Sequence, residues 1–141
     1  MASPDTGAKL VVAGAWDERY PEARRFAEGR GATDILWIGR VQEEDLPALY
    51  SAAAVFAFPS LFEGFGLPVI EAMACGTPVV CWNTSALPEV AGDAALLVGS
   101  ETELGAALTT ALSDADKREA LRAKGLARAA QFSWTNTATR T

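Results

Sequence analysis

Short apolar runs alternate with stretches of helical periodicity along this chain. The runs KLVVAGA (9–15), DILWIG (34–39), AVFAFPS (54–60), PVVCW (78–82) and AALLV (94–98) are rich in Val, Ile, Leu and aromatics. Each stops at a glycine, a proline or a polar residue, the pattern of a buried strand. Between them, PEARRFAEG (21–29) begins with a proline suited to a first helical turn, and EEDLPALYSAA (43–53) sets Leu46, Leu49, Tyr50 and Ala53 along one face. Both read as crossover helices. A third helix is predicted over 67–75: Pro68 suits its first turn, Ile70, Met73 and Ala74 give it an apolar side, and Gly76 with Pro78 stops it. Leu104, Ala107, Leu108, Ala111 and Leu112 then recur at helical spacing, and a last helix restarts after Ser113, with Asp116 placed to complete a capping box.

Strands alternating with helices of about ten residues imply right-handed βαβ units and a parallel sheet covered on both faces. The expected fold class is α/β, a doubly wound parallel sheet. There is no internal repeat, low-complexity tract or linker. The polar first eight residues and the Thr-rich tail TNTATRT are expected to fray. With 141 residues, half of them hydrophobic, the chain is long enough for one well-packed domain and too short for two full-sized ones, so residues 1–141 are expected to form a single domain.

Charge and composition narrow the function. There are 18 acidic residues against 12 basic ones, a net charge of −6, and no run of Lys or Arg that could follow a phosphate backbone, which argues against a nucleic-acid partner. No apolar run approaches the ~18 residues of a membrane span, and MASPDTGAKL lacks the charged and apolar regions of a secretory signal, so the expectation is a soluble cytoplasmic protein. Cys75 and Cys81 are too few for a disulfide framework and wrongly spaced for a zinc or redox motif, and are read as reduced core residues. The chain has no histidine. That removes Ser-His-Asp and Cys-His catalysis, histidine metal sites and the usual proton shuttle near neutral pH. Chemistry here must use carboxylates, hydroxyls or backbone dipoles.

The stretch LFEGFGLPVIEAMACGTPVV (61–80) places Glu63 and Glu71 eight residues apart among glycine, proline and hydrophobes. An ionised carboxylate is not buried without partners, so something polar should meet both. The EGFG segment directly follows a predicted strand, and in open parallel sheets ligands bind at the carboxyl ends of the strands. The start of the helix at Leu67 carries free N–H groups and a partial positive charge, and Gly64 and Gly66 let the backbone come close to a bound group. That is an anion cradle. Glu71 stands roughly 6 Å up the helix axis from Leu67, at about 1.5 Å per residue, and Glu63 lies in the loop before the turn. A carboxylate beside a phosphate is repulsive unless it addresses another part of the ligand, and paired sugar hydroxyls are good donors to it. A ligand of the form sugar, diphosphate, sugar fits both. The plainer alternative is that Glu71 only favours the first turn of its helix and Glu63 is a solvated loop residue.

The stretch from Gly39 through GRVQEEDLPALYSAAAVFAFPSLFEGFGLPVIEAMACGTPVVCWNTSALPEVAGDAALLV, continuing to ARAAQFSW, resembles the donor-binding C-terminal domain of retaining, GT-B-fold glycosyltransferases of family four. The likeness covers nearly the whole chain from Lys9 onward. The resemblance implies a Rossmann-like half of a GT-B fold, with Glu71 on the ribose hydroxyls of a nucleotide-diphosphate sugar and Glu63 beside the transferred hexose as the candidate catalytic residue. It further implies that the backbone amides of Gly64, Phe65, Gly66 and Leu67 hold the diphosphate and sugar hydroxyls, and that Gly39, Arg40 and Val41 border the base. The leaving diphosphate is thought to assist same-face attack in this family, so neither glutamate need be a general base, and no metal or other cofactor is implied.

By the same resemblance, the family's diphosphate-binding Arg and Lys, and its acceptor-binding N-terminal domain, are expected upstream of the first residue of this sequence. The chain is therefore expected to be a piece that binds a donor but transfers no sugar by itself. Its incomplete sheet should leave edges and apolar surface that invite self-association. Arg40 is the nearest basic residue in sequence to stand in for the upstream cations. A non-catalytic nucleotide-sugar module, or a half-protein needing a separate acceptor domain, is the alternative function; an epimerase or phosphorylase of the same fold fits less well without histidine or a cofactor lysine. The segment SALPEVAGDAALLV looks most like branches that use mannose, a lean toward GDP-mannose. The Asp114–Asp116 stretch DAD mimics a metal-binding Asp-x-Asp but falls between two helices and reads as a helix cap. Trp16, Trp37, Trp82 and Trp134 read as packing aromatics, with Trp82 at a strand's carboxyl end the closest to a ligand position.

Overall fold

The computed structural model describes residues 6–132, so Trp134 and the TNTATRT tail lie outside the described residues. The chain forms two compact units, one reaching to Leu46 and one beginning at Pro47. The first is a single βαβ unit of β1 (Leu10–Ala13), α1 (Glu22–Gly29) and β2 (Ile35–Gly39). Its strands are parallel, with Leu10 opposite Ile35 and Val12 opposite Trp37. Trp16 meets Trp37 edge-on, ring centroids 5.3 Å apart, and the Arg24 guanidinium lies 5.3 and 5.4 Å from the two rings. These two tryptophans pack against each other, as expected. Leu10, Val11, Leu36 and Ile38 are exposed, the apolar surface that strands without a second covering layer leave open.

The second unit holds α2 (Leu46–Ala52) from its second residue on, β3 (Phe56–Phe58), α3 (Leu67–Ala74), β4 (Val79–Trp82), α4 (Leu87–Ala91), β5 (Ala95–Val98), α5 (Glu101–Ser113) and α6 (Ala115–Ala129). Its three strands are parallel in the order β3-β4-β5. The central strand β4 carries the core. Val80 packs with Val98 and Ala111 beneath α5, while alternation turns Val79 and Cys81 to the other face, equally buried. α3 lies against α6, where Gly125 leaves room for Met73: a Cβ there would stand 3.3 Å from Met73 Cγ. Burial pushes the Cys81 thiol up to about 11, which fits an inert core cysteine; Cys75, at the end of α3, is half-buried and also free.

All five strands fall inside the runs that predict them, and the fold is α/β, Rossmann-like. Where the sequence leads to a single sheet, the described strands form two parallel ones, β1-β2 in the first unit and β3-β4-β5 in the second. A second correction concerns the last helix. Its N-cap is Asp114, which accepts from the Lys117 N–H at 2.9 Å, and not Ser113, whose hydroxyl turns back to the Thr109 carbonyl at 2.7 Å. Asp114 has the extended backbone a cap needs, and Ser113 is still helical. The DAD stretch is thus a helix cap.

Candidate functional site

After β3 the chain turns through Pro59 and Ser60 into the loop that leads to α3. Ser60 donates to the Glu63 carboxylate at 2.8 Å, which holds that side chain, half-buried, across the turn. The Glu63 backbone is held from the other side: Ser85 Oγ accepts from the Glu63 N–H at 3.3 Å and donates to its carbonyl at 2.7 Å. Ser85 sits at φ +57°, the only non-glycine at positive φ among the described residues. That conformation costs a residue with a Cβ roughly 1–2 kcal/mol, offset here by a hydroxyl that satisfies two backbone groups.

Gly66 ends the loop as the N-cap of α3, at φ +85° and with no side-chain cap. A Cβ at Gly66 would stand 2.8 Å from Leu87 Cδ2, so both its backbone angle and its surroundings require glycine. Pro68 then opens the helix. The far end closes with a left-handed Gly76 (φ +73°), whose N–H reaches the Met73 carbonyl at 2.9 Å while the Thr77 N–H reaches that of Ala72 at 2.9 Å. This pair of bonds is the Schellman arrangement, and it fixes the length of α3.

The amides of Gly64, Phe65, Gly66 and Leu67 find no acceptor among the described residues. Gly64, Phe65 and Leu67 are exposed and Gly66 is buried. The N-terminus of α3 therefore presents donors and a partial positive charge to solvent, while Gly66 supplies the turn. Phe65 is anchored edge-on to Phe132, centroids 5.8 Å apart.

Glu71 is the fifth residue of α3 and is exposed. The helix dipole acts within the first turn, and the first turn of α3 carries no acidic residue, so helix stabilisation does not account for a glutamate there. The Tyr50 hydroxyl donates to Glu71 Oε2 at 3.1 Å. Burial first, and then the Glu71 charge, raise the pKa of Tyr50 well above the ordinary tyrosine value, so the phenol stays protonated and keeps donating. One carboxylate oxygen is thereby held, and no donor among the described residues reaches the other.

Gly39, Arg40 and Val41 lie in the first unit, at the end of β2. Gly39 adopts φ +69° and its carbonyl accepts from the Gly14 N–H at 2.8 Å; Arg40 is exposed and Val41 half-buried. The second unit by itself brings together Glu63, Gly64, Phe65, Gly66, Leu67 and Glu71. Three supports of that group were not expected from sequence: Tyr50, Ser85 and Leu87. Tyr50 had a signal, since a tyrosine on an apolar helix face needs a partner for its hydroxyl. Ser85 and Leu87 had none, being 22 and 21 positions from the residues they hold. No group of three or more Cys, Asp or Glu side chains among the described residues is placed to hold a metal ion, and no helix among them is long and apolar enough to cross a membrane.

The family described as glycosyl transferases group 1 matches residues 2–128. The O-antigen chain mannosyltransferase B of Escherichia coli is 50% identical over 109 residues, which cover 76% of this chain and 29% of that protein. The sucrose-phosphate synthase of Thermosynechococcus elongatus superposes with a TM-score of 0.82 at 31% identity, over 94% of this chain and 36% of the other. Anabaena Alr3699/HepE, solved with UDP and glucose, superposes with a TM-score of 0.83 at 22% identity, over 96% of this chain and 41% of the other, and speaks for the fold. The chain thus spans less than half the length of each of these proteins.

Proposed function

The chain belongs to the group 1 glycosyl transferases, and from that membership we propose that it forms the donor-binding half of a retaining hexosyltransferase, holding a nucleotide-diphosphate sugar against the loop and first turns of α3. The observation that carries this reading is the placement of Glu71: an exposed carboxylate in the second turn of α3, with one oxygen held by Tyr50 and the helix's unpaired amides one turn below. A carboxylate accepts and a ribose diol donates, so Glu71 takes the two ribose hydroxyls. The diphosphate sits at the N-terminus of α3 on the amides of Gly64, Phe65 and Leu67, where the dipole favours its charge. Glu63 faces the transferred hexose, its carboxylate fixed by Ser60 and its backbone by Ser85.

In the same proposal the leaving diphosphate takes up the acceptor's proton, so the bond to the anomeric carbon breaks and forms on one face, and no metal is needed. Spacing rules for carboxylate pairs in glycoside hydrolysis do not apply to such a transfer. The 50% identity to a mannosyltransferase favours mannose as the sugar, with GDP as the carrier the sequence leans toward. Acceptor binding belongs to a partner domain, and transfer needs both halves; this chain spans 29% of that relative's length.

Calorimetry on Glu71→Gln tests the reading. Gln is isosteric, forms helix about as well and keeps an acceptor for the Tyr50 hydroxyl, so folding stability falls only by the difference between a charged and a neutral acceptor, about 1 kcal/mol. Loss of the charge removes charge-assisted bonds from the ribose and weakens binding of GDP or GDP-mannose by about 1.5–3 kcal/mol. Equal affinity for the two proteins would overturn the assignment.

A further inference from the structure

We propose that Tyr50 is a positioning residue of this site: its hydroxyl holds one oxygen of the Glu71 carboxylate, so that the other is presented to the ribose hydroxyls of a bound nucleotide. The inference rests on the donor-site reading above and adds the residue that sets the geometry of its central carboxylate.

Tyr50 is itself immobile. It is 8% exposed, and its ring meets Phe56 of β3 edge-on, with centroids 5.2 Å apart at 87°. Its carbonyl accepts from the buried Thr77 hydroxyl at 2.6 Å and from the Ala53 N–H at 3.0 Å. Thr77 lies between α3 and β4, so the Tyr50 backbone is tied to the elements that carry the helix, while the ring is held by its burial against Phe56. From that fixed point the hydroxyl spans from α2 to α3 and meets Glu71 Oε2 at 3.1 Å. The direction of the bond is set by chemistry, since an ionised carboxylate only accepts.

Glu71 is otherwise exposed, and no donor among the described residues reaches Oε1. A glutamate left to itself samples several rotamers and loses that freedom when a ligand orders it. Here the loss is taken at folding, and the carboxylate meets the ligand in place. A purely structural role is the competing account: a buried tyrosine hydroxyl seeks a partner for its own sake. The two accounts differ in what they predict for a ligand without hydroxyls.

The test is a calorimetric titration of the chain with GDP and UDP and with their 2′,3′-dideoxy analogues. Wild type, Tyr50→Phe, Glu71→Ala and the double variant are compared. Phe keeps the ring against Phe56, so the fold is retained, and circular dichroism checks it. Tyr50→Phe is expected to weaken the better-binding nucleotide about two- to tenfold, the effect of ordering one rotamer-rich side chain on binding. That loss should vanish with the dideoxy analogue and in the Glu71→Ala background. An unchanged affinity in Tyr50→Phe, or an equal loss with the dideoxy analogue or in the Glu71→Ala background, overturns the positioning role while the donor-site reading stands. If Glu71→Ala binds as wild type does, or neither nucleotide binds wild type, the donor-site reading itself falls and takes this inference with it.

Discussion

Replacing Gly66 by alanine sets a single methyl against two independent features of the site. The residue sits at φ +85°, where a Cβ costs about 1–2 kcal/mol. The same Cβ would stand 2.8 Å from Leu87 Cδ2, well inside the roughly 3.5–4.0 Å of a normal carbon contact. Leu87 is fully buried, so the clash is relieved by a shift of its side chain or of the loop within a packed core, at about 1–3 kcal/mol for overpacking. Together these predict a loss of about 2–5 kcal/mol, a large part of the ~5–15 kcal/mol that holds a typical domain. Urea unfolding followed by tryptophan fluorescence and circular dichroism measures it. The Leu87→Ala background separates the two causes. That change alone costs about 2–5 kcal/mol, but it deletes the atom the new methyl strikes, so adding Gly66→Ala should then cost only the backbone share, about 1–2 kcal/mol. A loss under about 1 kcal/mol for Gly66→Ala alone would refute the argument, as would strict additivity of the two substitutions.

Two further outcomes follow from the same structure. Gly105 lies inside α5 with nothing within 4 Å of where a Cβ would be, so Gly105→Ala should raise stability by about 0.5–1 kcal/mol in the same urea assay; a loss would mean that α5 is packed more tightly there than its surroundings indicate. The pKa of Tyr50 is raised in the folded state, by burial and then by the Glu71 charge, above the value near 10 of an unfolded tyrosine. Its contribution to stability is therefore fully present below about pH 10 and is lost as pH rises above it, because the unfolded chain then releases a proton that the folded one keeps. The difference in stability between wild type and Tyr50→Phe should accordingly narrow or reverse above about pH 10, whereas parallel curves would show that the hydroxyl is not shielded.

Much of this architecture is local and could be read from the chain. Each strand is a short run closed by glycine, proline or a polar residue. The ends of α3 follow from Pro68 and Gly76, and the candidate carboxylates from two glutamates standing where nothing apolar requires them. What escaped the sequence is long-range. Tyr50 reaches Glu71, Leu87 covers Gly66 and Ser85 holds Glu63 across 21 or 22 positions, distances over which no periodicity carries information. α4 has only five residues, too few for a helical repeat to declare itself, although it is the element that brings Leu87 to the loop. The cap of α6 was displaced by one residue because Ser and Asp are both good caps, and the choice between them rests on a backbone angle. Sequence thus offered the candidate carboxylates, and the structure supplied the hydroxyls that hold them.

The central claim is that the loop and first turns of α3 receive a nucleotide-diphosphate sugar. Backbone amide shifts of the isotopically labelled chain, followed while GDP-mannose or UDP-glucose is added, test it most directly. Saturable shifts are expected to concentrate at Gly64, Phe65, Leu67 and Glu71, with the Glu71→Gln variant needing more ligand to reach them. Shifts confined to the cationic surface of Lys117 and Lys124 beside Asp93, with the α3 loop unmoved, would contradict it.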